Sequence, residues 1–529
     1  MRNIQLPGRS VVMSTEAMVA TSQPMATSAA LQVLRDGGNA MDAAIAASAV
    51  LGVVETFSSG IGGDCFILYH EAATGELHAL NGSGRSPAAA TAAVIRERGF
   101  ATMPRRDIVS VTVPGAIDAW TQANNRFGKL DFARLLQPAI HYAEQGYAVT
   151  PIIAGKWKKH EPLLNNTPEA SAAFLVDGKA PLAGEVHRQP DLASSLRIIA
   201  ERGRDGFYQG EIAEEIVRYS DSLGGLFTLD DFASQACEWV VPISTNYRGY
   251  DVYEIPPNGQ GITTLMALNI LAQTDVSSLP HLGVDHVHLL SEAFTLAMAE
   301  RDRFIGDSAF NPIPVEQMLS NEFAREQYAR IDMNRAMLQP VASALPNHRD
   351  TVYLSVVDKD RNVCSFINSV FDSWGSGLVA GSTGINLQNR GSGFVLEDGH
   401  FNQIEPRKRP LHTIIPAMVY REDKPVLGFG VMGGQYQAIG QSYVLSNWID
   451  YGMDIQEAID AARFFLYDGI LGVETGVPEA TRAGLAARGH RVVPAEIPLG
   501  GSQAIVIDWE NGVLQGGSDP RKDGHAAGY

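Results

Sequence analysis

The chain has 529 residues, of which 45% are hydrophobic and 19% are charged, and its formal net charge at pH 7 is −18. This length predicts two to four domains or one large composite core, and the composition is that of a globular protein. The acidic charge argues against a nucleic-acid partner, because no cationic excess is present to neutralise phosphates.

The three cysteines, Cys65, Cys237 and Cys364, are odd in number and far apart, so they predict neither a disulfide framework nor a zinc site. The stretch 1–21 has no continuous apolar core, and 43–54 is too short to span a bilayer. We therefore expect a cytoplasmic protein with no membrane partner.

The first predicted elements are a strand over 11–20, a helix over 26–35 that stops at Asp36-Gly37-Gly38-Asn39, and an apolar helix over 43–53. The glycine-dense loop 58–64 then precedes a strand over 65–70. That order does not match a dinucleotide-binding fingerprint, and it fits a turn near a substrate cleft or a purely structural turn equally well.

After a strand over 76–81, the loop 82–87 displays Arg85. An arginine can grip a carboxylate bidentately, so Arg85 is a candidate substrate clamp, with a solvated surface arginine as the alternative. A strand over 108–113, helices over 130–146, 190–202 and 210–223, a strand over 250–254 and a helix over 262–271 follow as scaffold.

The longest predicted helix covers 284–304. His286 and His288 on it are two residues apart and face different directions, which argues against a metal pair. No zinc-hydrolase, phosphate-loop or serine-elbow motif occurs in the sequence, so we predict no metal and no cofactor.

A polar connection over 328–350 is predicted to lead into a hairpin of two strands, 351–357 and 363–370. Thr351 is the first residue of that hairpin. If the chain is cut between Asp350 and Thr351, Thr351 carries both a hydroxyl nucleophile and its own general base, the freed α-amine. Taken alone, a threonine that opens a strand is far more often structural.

Strands over 415–420 and 426–430 and the turn at Gly433 and Gly434 precede a helix over 438–449, and a last strand covers 503–508. Two consecutive backbone N–H groups at such a turn can cradle an oxyanion. A tight strand-to-helix turn explains the two glycines equally well.

Ordered motifs extend along nearly the whole chain, and together they resemble the γ-glutamyltransferase family of N-terminal-nucleophile hydrolases. They are Gly37-Gly38-Asn39-Ala40-Met41-Asp42-Ala43-Ala44, Gly60-Ile61-Gly62-Gly63-Asp64, Val113-Pro114-Gly115, Pro256-Pro257-Asn258-Gly259-Gln260-Gly261, Asp350-Thr351, Val356-Val357-Asp358-Lys359-Asp360, Lys408-Arg409-Pro410-Leu411, Gly433-Gly434, Ser518-Asp519-Pro520-Arg521 and Gly528-Tyr529.

The resemblance implies an α/β (α+β) protein built as a four-layer αββα sandwich. It implies a precursor that cuts itself before Thr351 into a large subunit, residues 1–350, and a small subunit, residues 351–529, of 529 − 350 = 179 residues. The two fragments would form one composite catalytic domain and associate as an αβ unit or as (αβ)2.

The resemblance also implies roles for four residues: Thr351 as nucleophile, Ser369 as the hydroxyl that helps to position it, and Gly433 and Gly434 as the oxyanion hole. Several expected substrate-binding positions differ: Phe371 replaces an Asn, Arg390 a Gln, Gly393 an Asp, His412-Thr413 a pair of Ser, and Ser83 the clamp Arg.

These departures remove the expected partners of a substrate ammonium group, while Arg85, Arg390, His412 and Thr413 could still bind a carboxylate. The leading hypothesis is therefore an amidohydrolase acting on a small carboxylate-bearing amide, with oxamate as the sharpest guess. The alternatives are a glutathione hydrolase or γ-glutamyl transpeptidase, a β-lactam side-chain acylase, and a non-catalytic binding protein with the same fold.

Overall fold

The structure is a computed structural model that describes residues 8–337 and 350–529. Most of the predicted polar connection before Thr351, residues 338–349, therefore lies outside the described residues. Asp350 and Thr351 themselves are described.

The strands, numbered in chain order, are β1 (Val12–Ser14), β2 (Met18–Thr21), β3 (Asp64–Glu71), β4 (Glu76–Gly82), β5 (Tyr147–Ala148), β6 (Val186–His187), β7 (Glu238–Val240), β8 (Ile243–Tyr247), β9 (Tyr250–Glu254), β10 (Val352–Val357), β11 (Val363–Ser369), β12 (Ala417–Arg421), β13 (Lys424–Met432), β14 (Phe464–Tyr467), β15 (Ile470–Val473), β16 (Arg491–Pro494), β17 (Gly501–Asp508), β18 (Val513–Ser518) and β19 (His525–Gly528).

The α-helices are α1 (Pro24–Arg35), α2 (Ala40–Val54), α3 (Ala92–Glu97), α4 (Ala116–Phe127), α5 (Phe132–Gln145), α6 (Pro151–Leu164), α7 (Pro168–Phe174), α8 (Pro190–Arg202), α9 (Arg204–Tyr208), α10 (Glu211–Ser222), α11 (Leu229–Ala233), α12 (Gly261–Leu271), α13 (Val284–Phe304), α14 (Val315–Met318), α15 (Asn321–Tyr328), α16 (Tyr436–Ile449), α17 (Ile455–Asp460) and α18 (Glu479–Ala487). Short 3-10 helices cover Ile108–Ser110, Val276–Ser278, Gly381–Thr383 and Arg390–Gly393.

Two seven-stranded antiparallel sheets form the centre of the molecule. Sheet I has the order β1-β18-β17-β13-β12-β9-β8, and sheet II has the order β19-β2-β10-β11-β3-β4-β7. Segments before and after Thr351 supply strands to both sheets, and β10 is the third strand of sheet II, with β2 on one side and the central strand β11 on the other.

The side chains of β10 show how the layers are arranged. Val352, Leu354 and Val356 belong to the core that includes α1, α2 and α5, whereas Tyr353 and Val357 belong to a separate core with residues of both sheets. Because successive strand residues point to opposite faces, sheet II is covered by helices on one face and by sheet I on the other. Helices α12, α13 and α16 cover the outer face of sheet I, which confirms the predicted αββα sandwich.

Helix α2 illustrates why small residues are needed in the outer layer. All 15 of its residues are buried, and it starts with a capping box in which the Asn39 side chain accepts from the backbone of Met41 and Asp42 while Asp42 accepts from Asn39. Its alanine-rich sequence allows close packing on all sides, and the cap satisfies the free N–H groups at its first turn.

Two predicted strands are wrong. The segment 11–20 forms two strands in different sheets, β1 and β2, because the chain turns at residues 15–17. The segment 108–113 begins as a 3-10 helix, Ile108–Ser110, whose first turn is capped by the Asp107 side chain at 3.0 Å from the Val109 nitrogen. In the described parts of the chain, no helix is long and apolar enough to cross a membrane.

Candidate active site

Thr351 lies immediately before β10 and is completely buried. Its Oγ1 is 2.5 Å from the carbonyl oxygen of Asp350, the residue that precedes it, and 3.1 Å from the Ser369 hydroxyl. The Gln437 side-chain amide donates to the same Oγ1 at 3.3 Å. The hydroxyl is therefore fixed against its own preceding peptide bond by groups from β11 and α16.

Ser369 is the last residue of β11 and is paired in register with Asp64 of β3. Its hydroxyl accepts the backbone N–H of Phe371 at 3.0 Å in addition to contacting Thr351. A Cβ atom on Gly63 would lie 2.2 Å from the Ser369 carbonyl oxygen. This close approach explains why the loop needs glycine at position 63: a larger residue would displace Ser369.

The turn at Gly433 and Gly434 connects β13 to α16. Gly433 has φ of 128° and Gly434 has φ of 60°, values that favour glycine. The Gln260 side-chain amide donates to the Gly434 carbonyl at 3.0 Å, and Arg301 donates to Gln260 at 2.7 Å. Since Gln437 in the first turn of α16 contacts Thr351, this turn and Thr351 are held in one network.

Asp350 is buried, and its carboxylate contacts the Lys156 ammonium group and the Ser373 hydroxyl, with the Lys522 ammonium at 3.7 Å. Burial alone would raise the pKa of Asp350, but the two lysines outweigh burial and hold this pKa well below its usual range. Burial, together with repulsion from Lys156, lowers the pKa of Lys522 to about 8. The peptide bond before Thr351 is thus flanked by a buried ion-pair cluster.

Arg390 is fully buried beside this site. Its Nη1 donates to the Thr413 hydroxyl at 2.8 Å, and its guanidinium carbon lies 4.1 Å from the centre of the Phe371 ring. Among the described residues, its Nε and Nη2 have no hydrogen-bond partner. Burial lowers the pKa of Arg390 to about 9, although Asp64 and Asp372 partly offset this effect. A buried cation with unused donors can bind an anionic group.

His412 is also fully buried, and its Nε2 lies 2.9 Å from the Asp64 carboxylate. Burial, and then the positive charge of Arg390, lower the pKa of His412 to about 4. The ring is therefore neutral at pH 7 and donates its Nε2 proton to Asp64. Asp64 accepts two further hydrogen bonds, from the Gly115 backbone at 3.0 Å and the Gln388 amide at 2.8 Å.

Arg85 lies in a different cluster. It pairs with Glu238 at 2.7 Å, lies 3.7 Å from Asp307 and donates to the Arg407 carbonyl at 3.0 Å. Its guanidinium is engaged by protein groups, whereas Arg390 keeps two unused donors. The structure thus brings together Thr351, Ser369, Phe371, Arg390, His412 and Thr413 with the turn at Gly433 and Gly434, and it places Arg85 among other ion pairs.

The groups at the site that were missed from the sequence include Asp64, Lys156, Gln437 and Lys522. Asp64 ends one of the family-like motifs and could have been noticed there. The two lysines contact Asp350 across 194 and 172 positions of the chain, and no local pattern marks such pairs.

Comparison with known proteins agrees with this geometry. The family model described as gamma-glutamyltranspeptidase matches residues 26–529. A glutathione hydrolase-like YwrD proenzyme of Bacillus subtilis (strain 168) is 40% identical over 98% of this chain and 99% of its own length. An oxamate amidohydrolase proenzyme of Klebsiella pneumoniae is 33% identical over 98% of this chain and 99% of its own length.

Among solved structures, a cephalosporin acylase from Bacillus halodurans superimposes with a TM-score of 0.94 at 40% identity, covering 99% of this chain and 98% of the acylase. These relatives are named for three different substrates, while the proteins matched by sequence are proenzymes. The chain is therefore an enzyme that belongs to the γ-glutamyltranspeptidase family of N-terminal-nucleophile hydrolases.

Proposed function

We propose that this enzyme cuts itself between Asp350 and Thr351 and then uses Thr351 to hydrolyse the amide of a small, carboxylate-bearing substrate. The observation that carries the proposal is the position of the Thr351 hydroxyl, which is buried and 2.5 Å from the carbonyl oxygen of the peptide bond to be cut.

In the self-cleavage step, Thr351 Oγ1 attacks the carbonyl carbon of Asp350 and the bond to the Thr351 nitrogen breaks. The acyl group moves from nitrogen to oxygen, and the hydroxyl proton moves to the nitrogen, which becomes the free α-amine. Water then hydrolyses the ester, which gives Asp350 a free C-terminal α-carboxylate and restores the Thr351 hydroxyl. Ser369 and Gln437 orient Oγ1 in the uncut chain.

In the hydrolytic reaction, the α-amine of Thr351 takes the hydroxyl proton as Oγ1 attacks the substrate carbonyl carbon. The same amine delivers that proton to the leaving nitrogen, and ammonia departs when the substrate is a primary amide. Water hydrolyses the acyl ester and restores the hydroxyl. Backbone N–H groups at Gly433 and Gly434 are assigned to the tetrahedral oxyanion.

The substrate assignment is supported by the charges around Arg390. Its two unused donors suit a carboxylate. The nearby carboxylates are already engaged, Asp64 with His412 and Asp372 with Arg105 at 2.6 Å, so neither is offered to a substrate ammonium group. A small amide with a carboxylate and no α-amine, such as oxamate, satisfies this charge pattern.

Two further substrates have support from the relatives. Glutathione hydrolysis or γ-glutamyl transfer is favoured by the 40% identical glutathione hydrolase-like relative, and removal of a β-lactam side chain by the 40% identical cephalosporin acylase structure. Both reactions would use Thr351 as the nucleophile, as hydrolysis of oxamate would. The three substrates can therefore be compared on the same preparation of the enzyme.

The cleavage part is tested by denaturing electrophoresis and mass spectrometry of the purified chain. We expect fragments ending at Asp350 and beginning at Thr351, the second with 529 − 350 = 179 residues. Thr351→Ala should leave the chain uncut and inactive. An uncut native chain, as a non-catalytic binding protein would be, or activity that survives Thr351→Ala, would refute the assignment.

The substrate part is tested by measuring kcat/KM for ammonia release from oxamate, chromophore release from a γ-glutamyl anilide and side-chain release from an acidic cephalosporin. Preference for oxamate is expected. Rapid turnover of either other substrate with none of oxamate would replace the leading candidate. We further propose that the fragments stay together as αβ or (αβ)2, and a cytoplasmic location remains a prediction.

A further inference from the structure

A second cluster of titratable side chains, separate from the Thr351 site, is buried beside helix α13. His288 and Glu292 are four residues apart on this helix, so both side chains lie on one face. His490 reaches them from the connection between α18 and β16. One ligand atom from each of these buried residues lies within 4.8 Å of the others.

The hydrogen bonds fix which atoms face each other. His288 Nε2 lies 2.9 Å from the Asp332 carbonyl oxygen and must donate its proton there. The lone pair of His288 is therefore on Nδ1, which accepts a hydrogen bond from the Nε2–H of His490 at 2.7 Å. A metal ion between the two rings would take the place of that proton, and His490 would then carry its proton on Nδ1. Metal-bound histidines usually donate the N–H of their other ring nitrogen to a carboxylate, a backbone carbonyl or water, as His288 does here.

Glu292 provides a second, independent observation. Its Oε2 accepts the Met337 backbone N–H at 3.0 Å, while Oε1 has no hydrogen-bond partner among the described residues and lies 3.8 Å from His490 Nε2. The side chain of Glu292 is completely buried. A buried carboxylate oxygen aimed at two imidazole nitrogens with no partner of its own is an unfilled ligand position.

We propose that His288 Nδ1, Glu292 Oε1 and His490 Nε2 bind one zinc ion. Two imidazoles and one carboxylate form a ligand set that suits zinc and disfavours magnesium or calcium, which prefer oxygen ligands. Zinc–ligand bonds of about 2.0–2.2 Å require the two imidazole nitrogens to separate slightly and the carboxylate to approach. Water supplies the fourth ligand.

The position of the site gives the ion a role. His288 and Glu292 precede the cleavage position and His490 follows it, so in the cut protein the ion would join the two fragments. The same cluster holds residues 332–337 through the Asp332 carbonyl and the Met337 nitrogen. These residues lead to the segment that ends at Asp350. The zinc ion would thus join residues 332–337 of the large fragment to His490 of the small one, a role that rests on the proposed cleavage.

Metal content tests the site separately from the cleavage. The native protein and the uncut Thr351→Ala chain, produced with added ZnCl2 and dialysed, should each hold about one zinc per chain. Glu292→Gln, which keeps the shape of the side chain, and His490→Gln should lower zinc affinity at least tenfold. The matched control His286→Gln, a buried histidine on the same helix outside the cluster, should retain the ion.

The link between fragments is measured by size-exclusion chromatography of the cut protein in increasing urea. Removal of zinc should lower the urea concentration at which the fragments separate, and Glu292→Gln should abolish this difference. The proposal would be overturned if the native protein contains no zinc and ZnCl2 raises its melting temperature no more than it raises that of Glu292→Gln. Equal zinc affinity in all variants would overturn it as well.

Discussion

Replacing Arg390 with methionine tests the substrate assignment most directly. Arg390→Met keeps an unbranched apolar side chain in place of the aliphatic part of Arg390 and removes the charge, together with the hydrogen bond to Thr413. The Nε and Nη2 groups have no protein partner among the described residues, so both are available to a substrate carboxylate. Hydrogen bonds from a charged donor are each worth about 1.5–3 kcal/mol.

Taking the lower value for each of the two bonds gives a loss of about 3 kcal/mol in transition-state stabilisation. Since about 1.4 kcal/mol corresponds to a factor of ten, kcat/KM for oxamate should fall about 100-fold or more. Arg390→Lys, which keeps a charge but loses the fork of donors, should fall less. Folding should be preserved, because burial already disfavours the Arg390 charge and lowers its pKa.

Two measurements separate binding from general damage. Denaturing electrophoresis should show that Arg390→Met is still cut, because the self-cleavage step involves no substrate carboxylate. Turnover of oxamide, the uncharged analogue, should be nearly unaffected. Unchanged kcat/KM for oxamate, or an equal loss for oxamate and oxamide, would refute the role of Arg390.

Four other outcomes follow from the contacts at the site. Ser369→Ala should slow self-cleavage, measured by gel densitometry, about tenfold, because the Thr351 hydroxyl loses a partner and a buried N–H is left unpaired; an unchanged rate would contradict this. In the Thr351→Ala background, replacing Asp350 with Asn should lower stability to chemical unfolding by a constant amount between about pH 4, the ordinary pKa of an aspartate, and about pH 7, below the pKa of Lys522. The loss should become smaller as the pH falls from 4 through the lowered pKa of folded Asp350; an equal loss from pH 2 to 7 would contradict it. Ring NMR signals of His412 should show no protonation between pH 5 and 8, and its contribution to stability, complete above pH 6.5, should decline as the pH falls towards its pKa of about 4. Gly63→Ala should reduce the melting temperature strongly, since the new Cβ would lie 2.2 Å from a backbone oxygen; a native-like melting curve would contradict that contact.

Elements with strong local signals were predicted to the residue. Helix α8, strand β9 and helix α13 coincide with the predicted ranges. Glycine or proline residues mark their ends: Pro190 and Gly203 for α8, Gly249 and Pro256 for β9, and Gly283 and Gly306 for α13. The segment 108–113 has a run of apolar and β-branched residues, but the Asp107 side chain caps a 3-10 turn at its start. This local cap outweighs the strand propensity of the residues that follow it.

The candidate site was predictable where it coincides with motifs of the family. Thr351 contacts Ser369, and Gln437 links Thr351 to the turn at Gly433 and Gly434. The catalytic roles that the resemblance implies for these residues stay predictions. The same reasoning proposed both Arg85 and Arg390 as binders of a substrate carboxylate and did not distinguish between them. Only the three-dimensional contacts separate them, because whether a guanidinium is already paired depends on acids far away in the chain, such as Glu238.

The interleaving of strands from both sides of Thr351 has a consequence for the protein's lifetime. Five neighbouring strand pairs of the described sheets, β1 with β18, β9 with β12, β2 with β10, β2 with β19 and β3 with β11, join a segment before the cut to one after it. The uncut chain refolds as a single molecule. After the proposed cut, an unfolded protein would have to bring two separate chains together, so refolding would depend on concentration. The cut would therefore make denaturation practically irreversible at low concentration, and the unfolding rate would govern how long the cut enzyme survives.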